Sequence, residues 1–86
     1  MGSYEVFIKP SAAKELEAVG RKSDRGRIVD KIYALKGDPR PSGCEKLTGQ
    51  DRYRLRQGQF RILYFVDDGE QTVTVVKIGH RRDVYR

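Results

Sequence analysis

Residues 52–66 read Arg-Tyr-Arg-Leu-Arg-Gln-Gly-Gln-Phe-Arg-Ile-Leu-Tyr-Phe-Val. The first five alternate strictly, so a strand over Arg52–Arg56 places Arg52, Arg54 and Arg56 on one face and Tyr53 and Leu55 on the other. Gln57, Gly58 and Gln59 form a tight connection. Phe60–Val66 is apolar on both faces apart from Arg61, the pattern of a central strand. The turn Asp67-Asp68-Gly69-Glu70 carries the Asp-Gly hairpin signal into a further strand over Thr72–Ile78. Three strands joined by short turns predict an antiparallel meander.

Upstream of the meander the period changes. Tyr4 to Lys9 alternates, with Tyr4, Val6 and Ile8 on one face, and Pro10 ends that strand. Ser11 is read as an N-cap for a helix over Ala12–Val19, with Ala12, Leu16 and Val19 on one stripe and Gly20 as the stop. Ser23 or Asp24 caps a second helix to about Lys36, with Ile28, Ile32 and Leu35 at i, i+4, i+7, and Gly37 closes it. Asp38–Gly43, with Pro39, Pro41 and Gly43, is a loop, and Glu45–Leu47 leads out of it. The expected order is β-α-α-β-β-β. This is a small α+β domain over residues 1–86, with helices on one face of a twisted sheet and the arginine-bearing face left free.

Eighty-six residues bury only roughly 60–65% of the surface of the unfolded chain, so the core is small and deep enzyme clefts are not expected. The net charge of +6 attracts polyanions. Cys44 is the single cysteine, which excludes an intramolecular disulfide or a zinc site built on several thiolates and points to a reducing cytoplasm. Met1 to Pro10 has no apolar signal core, and no stretch approaches the roughly 18 apolar residues of a membrane span, so the expectation is a soluble chain with no membrane partner. With one histidine, one cysteine and scattered acids, neither a metal nor any other cofactor is expected.

Residues 1–43 and residues 44–86 each carry nine basic and six acidic side chains, but the first half has four Arg and five Lys while the second has seven Arg and two Lys. Arginine donates a planar fork to phosphate oxygens, which lysine cannot do. The densest run is Arg52, Arg54, Arg56 and Arg61, with no acid among them. Two readings stand: a solvated strand face, or an edge protected by its charge against aggregation, on the one hand, and a phosphate-binding patch on the other. Tyr53, Phe60, Phe65 and Tyr85 are aromatics that either stack bases or fill the core. The second basic group is Gly79-His80-Arg81-Arg82-Asp83-Val84-Tyr85-Arg86, a polar tail unless Val84 and Tyr85 dock it, with Gly79 as its turning point. Cys44, Asp67 and Asp68 read as a small half-buried residue and two turn residues.

Taken together, Lys14-Glu15-Leu16, Asp38-Pro39-Arg40-Pro41-Ser42-Gly43, Lys46-Leu47-Thr48-Gly49, Tyr53-Arg54-Leu55-Arg56, Phe60-Arg61-Ile62-Leu63-Tyr64 and Gly79-His80-Arg81-Arg82-Asp83-Val84-Tyr85 resemble the RelE toxins of prokaryotic toxin–antitoxin pairs, over nearly the whole chain. The resemblance implies a small α+β fold. It also implies a type II toxin: a metal-free endoribonuclease, or mRNA interferase, that cuts messenger RNA in the A site of the 70S ribosome. The RNA's own 2′-hydroxyl attacks the adjacent phosphorus and leaves a 2′,3′-cyclic phosphate.

Carried over by position, the family's basic pair on its second strand falls on Arg52 and Arg54, its third-strand arginine on Arg61, its post-strand arginine on Arg81 and its C-terminal tyrosine on Tyr85. Arg54 and Arg61 then hold the scissile phosphate, Arg81 serves the leaving oxygen and Tyr85 orients the nucleotide, while Arg52, Arg56 and Arg82 bind RNA. Many RelE proteins carry lysine where Arg52 and Arg54 stand. Arginine stays protonated and makes a poor general base, so His80 either fills that role or simply hydrogen-bonds near the strand end. The implied partners are a RelB-like antitoxin, messenger RNA and the ribosome, with DNA contacted only through the antitoxin complex. Two alternatives remain on the same fold: a ParE-like non-nuclease that inhibits DNA gyrase, and an inactive homologue that only binds antitoxin. The retained set Arg54, Arg61, Arg81 and Tyr85 favours the nuclease.

Overall fold

The computed structural model describes residues 3–47 and 51–84, with side chains through Arg82. Its elements are β1 (Glu5–Ile8), α1 (Pro10–Glu17), α2 (Lys22–Ala34), β2 (Glu45–Lys46), β3 (Arg52–Gln57), β4 (Phe60–Asp67), β5 (Thr72–His80) and α3 (Arg81–Val84). The strands form one sheet in the order β1-β5-β4-β3-β2. The meander β3-β4-β5 is antiparallel as expected, and β1 lies parallel to β5. No described helix is long and apolar enough to cross a membrane.

Helix starts differ from the sequence expectation. Pro10 is the first residue of α1 and Lys9 its N-cap, without a side-chain cap, because proline's fixed φ suits the first helical position. Ser11 therefore lies inside the helix. Arg21 caps α2, again without a side-chain bond, and Ser23 and Asp24 fall in its first turn, where the acid favours the positive end of the helix dipole. Arg25 Nη1 donates to the Val19 carbonyl at 2.6 Å, serving the backbone just beyond α1.

The helical stripe Ala12, Val19, Ile28, Ile32 and Leu35 packs against Tyr53, Leu55, Ile62, Tyr64, Val66, Val73, Val75 and Ile78 from the sheet. The helices thus cover one face only. At the end of the core Tyr64, which has no exposed surface, stacks on Tyr53 with ring centroids 5.7 Å apart and donates its hydroxyl to the Pro39 carbonyl at 2.9 Å. Burial pushes its phenol well above the usual tyrosine range.

A polar clamp fixes the loop before β2. Arg40 grips Asp68 with two nitrogens at 3.1 and 2.8 Å and donates Nε to the Tyr53 hydroxyl at 2.8 Å, while Tyr4 donates to the same Asp68 at 2.6 Å. Asp68 is thus an ion-pair partner as well as a turn residue. In its loop the left-handed residue is Gln71, with φ 54°, and not Gly69. Hydrogen bonds from Arg40 and then Tyr4 hold the Asp68 carboxyl below its usual range. A carboxylate with a lowered folded pKa stabilises at neutral pH, and that contribution disappears as pH falls through the lowered value. Asp68→Asn is therefore expected to melt below the wild type at pH 7, with the difference closing as the solution is acidified past the carboxylate range. Melting curves of the two proteins across pH check this; a constant difference would contradict it.

Candidate nucleic-acid interface

Register alone assigns the residues of the uncovered face. Arg56 on β3 pairs with Arg61 on β4, which pairs with Gly79 on β5. The next row is Glu45, Arg54, Leu63 and Lys77, and the one after it is Arg52, Phe65, Thr74 and Phe7. Arg52, Arg54, Arg56 and Arg61 do share a face, as the alternation predicts.

The arginines are held differently. Arg61 is only 6% exposed; its Nη1 donates to the carbonyls of Gly58 at 3.2 Å and Phe60 at 3.0 Å, and its Nε has no hydrogen-bond partner. Among the described residues no carboxylate pairs with it. Gly58, with φ +59°, is the first of two turn residues, the arrangement that matches a hairpin's twist and turns its carbonyl toward Arg61. Arg54 and Arg56 both reach Glu45, with Nη2 at 2.8 and 3.4 Å from separate carboxylate oxygens. Hydrogen bonding from Arg54 holds the Glu45 carboxyl below its usual range. Arg52 lies over the Phe65 ring at 5.0 Å. Buried Tyr53 belongs to the core, whereas Phe65 is half-buried on the open face.

The C-terminal basic group divides. Gly79 is no turning point, because β5 runs on through His80 and Gly79 leaves the position beside Arg61 without a side chain. Arg81 donates its amide to the Gln59 carbonyl at 2.8 Å, which seats α3 at the same β3–β4 turn that Arg61 grips. Arg81 and Arg82 are exposed there. His80 pairs with Phe60 in register with the buried pair Ile62 and Ile78, so it lies on the helix-covered face, away from the arginines. Its ring meets Phe60 edge-on at 5.9 Å, and Nδ1 accepts weakly from the Arg82 amide at 3.4 Å. A bulge between Leu63 and Tyr64 against β5 causes this placement: one extra residue on β5 reverses which side chains face out. Tyr85 lies outside the described residues.

Sequence reasoning missed Glu45 and the strand that carries it, since two residues show no period. It also missed Glu15, which extends from α1 to the β5 edge beyond the end of β1, accepting from the Ile78 amide and Lys77 Nζ at 3.0 Å each.

A two-helix cover on one face of a five-stranded sheet matches the fold of the small RelE toxins. The chain belongs to the family of the ParE toxin of the type II toxin–antitoxin system, parDE, whose model matches residues 6–85, within the RelE/ParE superfamily. Toxin RelE of Mycobacterium tuberculosis (strain ATCC 25618 / H37Rv) is 26% identical over 84 residues, covering 96% of this chain and 87% of that protein. Toxin RelG of the same organism is 41% identical over 34 residues, a match spanning 40% of this chain and 39% of that protein. A chain of the archaeal RelE–RelB complex from Pyrococcus horikoshii OT3 superposes with a TM-score of 0.80 at 26% identity, covering 92% of this chain and 96% of that one. The chain is a RelE-like toxin of a type II system.

Proposed function

We propose that this toxin is an endoribonuclease that cuts messenger RNA in the ribosomal A site, and that its open sheet face binds the scissile phosphate. The observation that carries the proposal is Arg61, a charge nine-tenths buried, with a buried Nε–H that has no hydrogen-bond partner and, among the described residues, no carboxylate paired to it. A buried, uncompensated guanidinium costs stability, and a phosphate oxygen is the ligand that satisfies it.

In the reaction the substrate's 2′-oxygen attacks the neighbouring phosphorus, the 5′-oxygen leaves, and a 2′,3′-cyclic phosphate remains. Arg61 and Arg54 neutralise the added charge on the pentacoordinate phosphorus, and Arg81, at the adjoining turn, serves the departing oxygen. Arg52, Arg56 and Arg82 hold flanking phosphates, and Tyr85 orients the nucleotide. No step is routed through a metal. The ribosome supplies what so small a face lacks, an ordered message with its 2′-oxygen in line. His80, on the opposite face, takes no part: His80→Ala is expected to cleave at nearly the parent rate across pH, far short of the roughly 100-fold or greater loss that follows removal of a general acid or base. Single-turnover cleavage on programmed ribosomes measures this.

A RelB-like antitoxin is the proposed partner, an acidic or amphipathic segment that folds on this surface, as a RelE–RelB complex exists for the archaeal relative. Contacts to DNA come through that complex, and the toxin works in the cytoplasm. The match to the ParE model supports a second reading, a non-nuclease that inhibits DNA gyrase. Mapping the 5′ ends of messenger RNA after induction, with and without Arg61→Ala, separates them. Codon-phased cuts that vanish in the variant support the nuclease. Growth arrest with intact message and damaged DNA supports the second reading.

A further inference from the structure

Glu45 reaches into the arginine rows from β2 in a particular way. One oxygen accepts from Arg54 and the other from Arg56, so a single anion bridges two guanidiniums whose α-carbons lie roughly 7 Å apart along the strand. A nucleic-acid phosphate presents its non-bridging oxygens in the same manner. Arg54 is largely enclosed, with 15% of its side chain exposed, whereas Glu45 is 44% exposed. The carboxylate is therefore the accessible member of the pair. It is also carried on a two-residue edge strand paired only with β3, so little structure must yield for it to move.

We propose that Glu45 is an internal stand-in for RNA phosphate: it holds Arg54 and Arg56 in the free protein and is displaced when the phosphate chain of an RNA single strand arrives. This deepens the nuclease reading and rests on it. Glu45 keeps the two guanidiniums in a phosphate-ready fork and weakens the hold on stray anions. A ligand must outcompete a carboxylate already in place, which a chain offering consecutive phosphates does better than an isolated one. No covalent step is involved; one charge-assisted pair is exchanged for another.

The displacement leaves a signature in salt dependence. While Glu45 remains beside the arginines or close to the arriving strand, its charge offsets part of the positive charge that the face offers to the phosphates. Glu45→Gln removes that offset, so the slope of log affinity against log salt should steepen, by up to about 0.7 where the added net charge neutralises one further phosphate. Release of the two guanidiniums from these side-chain pairs corresponds to a gain in affinity of roughly two- to thirtyfold at moderate salt.

The test uses the full-length toxin and a fluorescent single-stranded RNA dodecamer with 2′-O-methyl sugars, which cannot be cleaved. Titrations at several salt concentrations compare the wild type with Glu45→Gln, with Glu70→Gln as a remote exposed substitution of equal charge, and with Arg61→Ala. Glu45→Gln is also measured in an Arg54→Ala/Arg56→Ala background. The expected result is tighter binding and a steeper slope for Glu45→Gln alone, both absent when the two arginines are gone. Equal effects from Glu70→Gln, persistence without the arginines, or no change at all while Arg61→Ala weakens binding each overturn the proposal and leave the RNA-binding face standing. If Arg61→Ala binds RNA as the wild type does, the underlying reading itself fails. Should Glu45→Gln melt early, Glu45→Ala and the same cycle decide in its place.

Discussion

Arg61→Met is expected to lower RNA cleavage on programmed ribosomes by about 100- to 1000-fold, the loss seen when one preorganised charge-stabilising donor is removed, while the melting temperature stays level or rises. Both halves follow from its surroundings. Arg61 is enclosed on the sheet, without a carboxylate partner among the described residues, and makes its bonds to two backbone carbonyls of its own hairpin. Folding must therefore desolvate a charge with incomplete return. Methionine fills similar space without that cost, and the exposed Gly58 carbonyl can take water in place of the guanidinium. A charge held at such a cost fits the proposed role of binding a substrate phosphate. Parallel cleavage rates and melting curves check the pair of outcomes. A variant that is inactive because it unfolds would remove the argument.

The second large effect concerns the scaffold. Tyr64→Ala is expected to cost about 3–5 kcal/mol, since it empties the site of the largest fully buried side chain and removes its stacking on Tyr53. Against the roughly 5–15 kcal/mol that holds a small domain together, this leaves a marginal protein. Tyr64→Phe keeps the ring and loses only the bond to the Pro39 carbonyl, for about 0.5–1.5 kcal/mol. The consequence reaches the interface, because Tyr64 lies on the strand that carries Arg61 and ties down the loop that delivers Glu45. Urea denaturation of the two variants measures the ratio; a similar loss in both would show that the hydroxyl, and not the ring, sustains the site.

The meander and the helical hairpin were legible because period is a local property. Tyr53 and Leu55 are buried and Arg52 and Arg56 exposed as strict alternation requires, and Ile28, Ile32 and Leu35 form the helical stripe read from their spacing. Features that depend on distant partners were not legible. Arg40 and Asp68 are 28 residues apart, so nothing near Asp68 marks it as more than a turn residue. Glu45 sits nine residues before Arg54 on a strand too short to have a period, and the arginine run therefore looked uncompensated. His80 shows how one backbone irregularity defeats pattern reading. Unbroken alternation from Val73 and Val75 would carry it to the arginine face, but the bulge sends Ile78 inward and His80 with it.

The most direct measurement is cleavage of a message held in the A site of 70S ribosomes, with a single 2′-deoxynucleotide placed at the position that is cut. The proposed mechanism predicts that the all-ribose message is cut there by the wild-type toxin, leaving a 2′,3′-cyclic phosphate, and that the deoxy message stays intact at that bond. Equal cutting of both messages, or none of either by a toxin that still arrests growth, would contradict it.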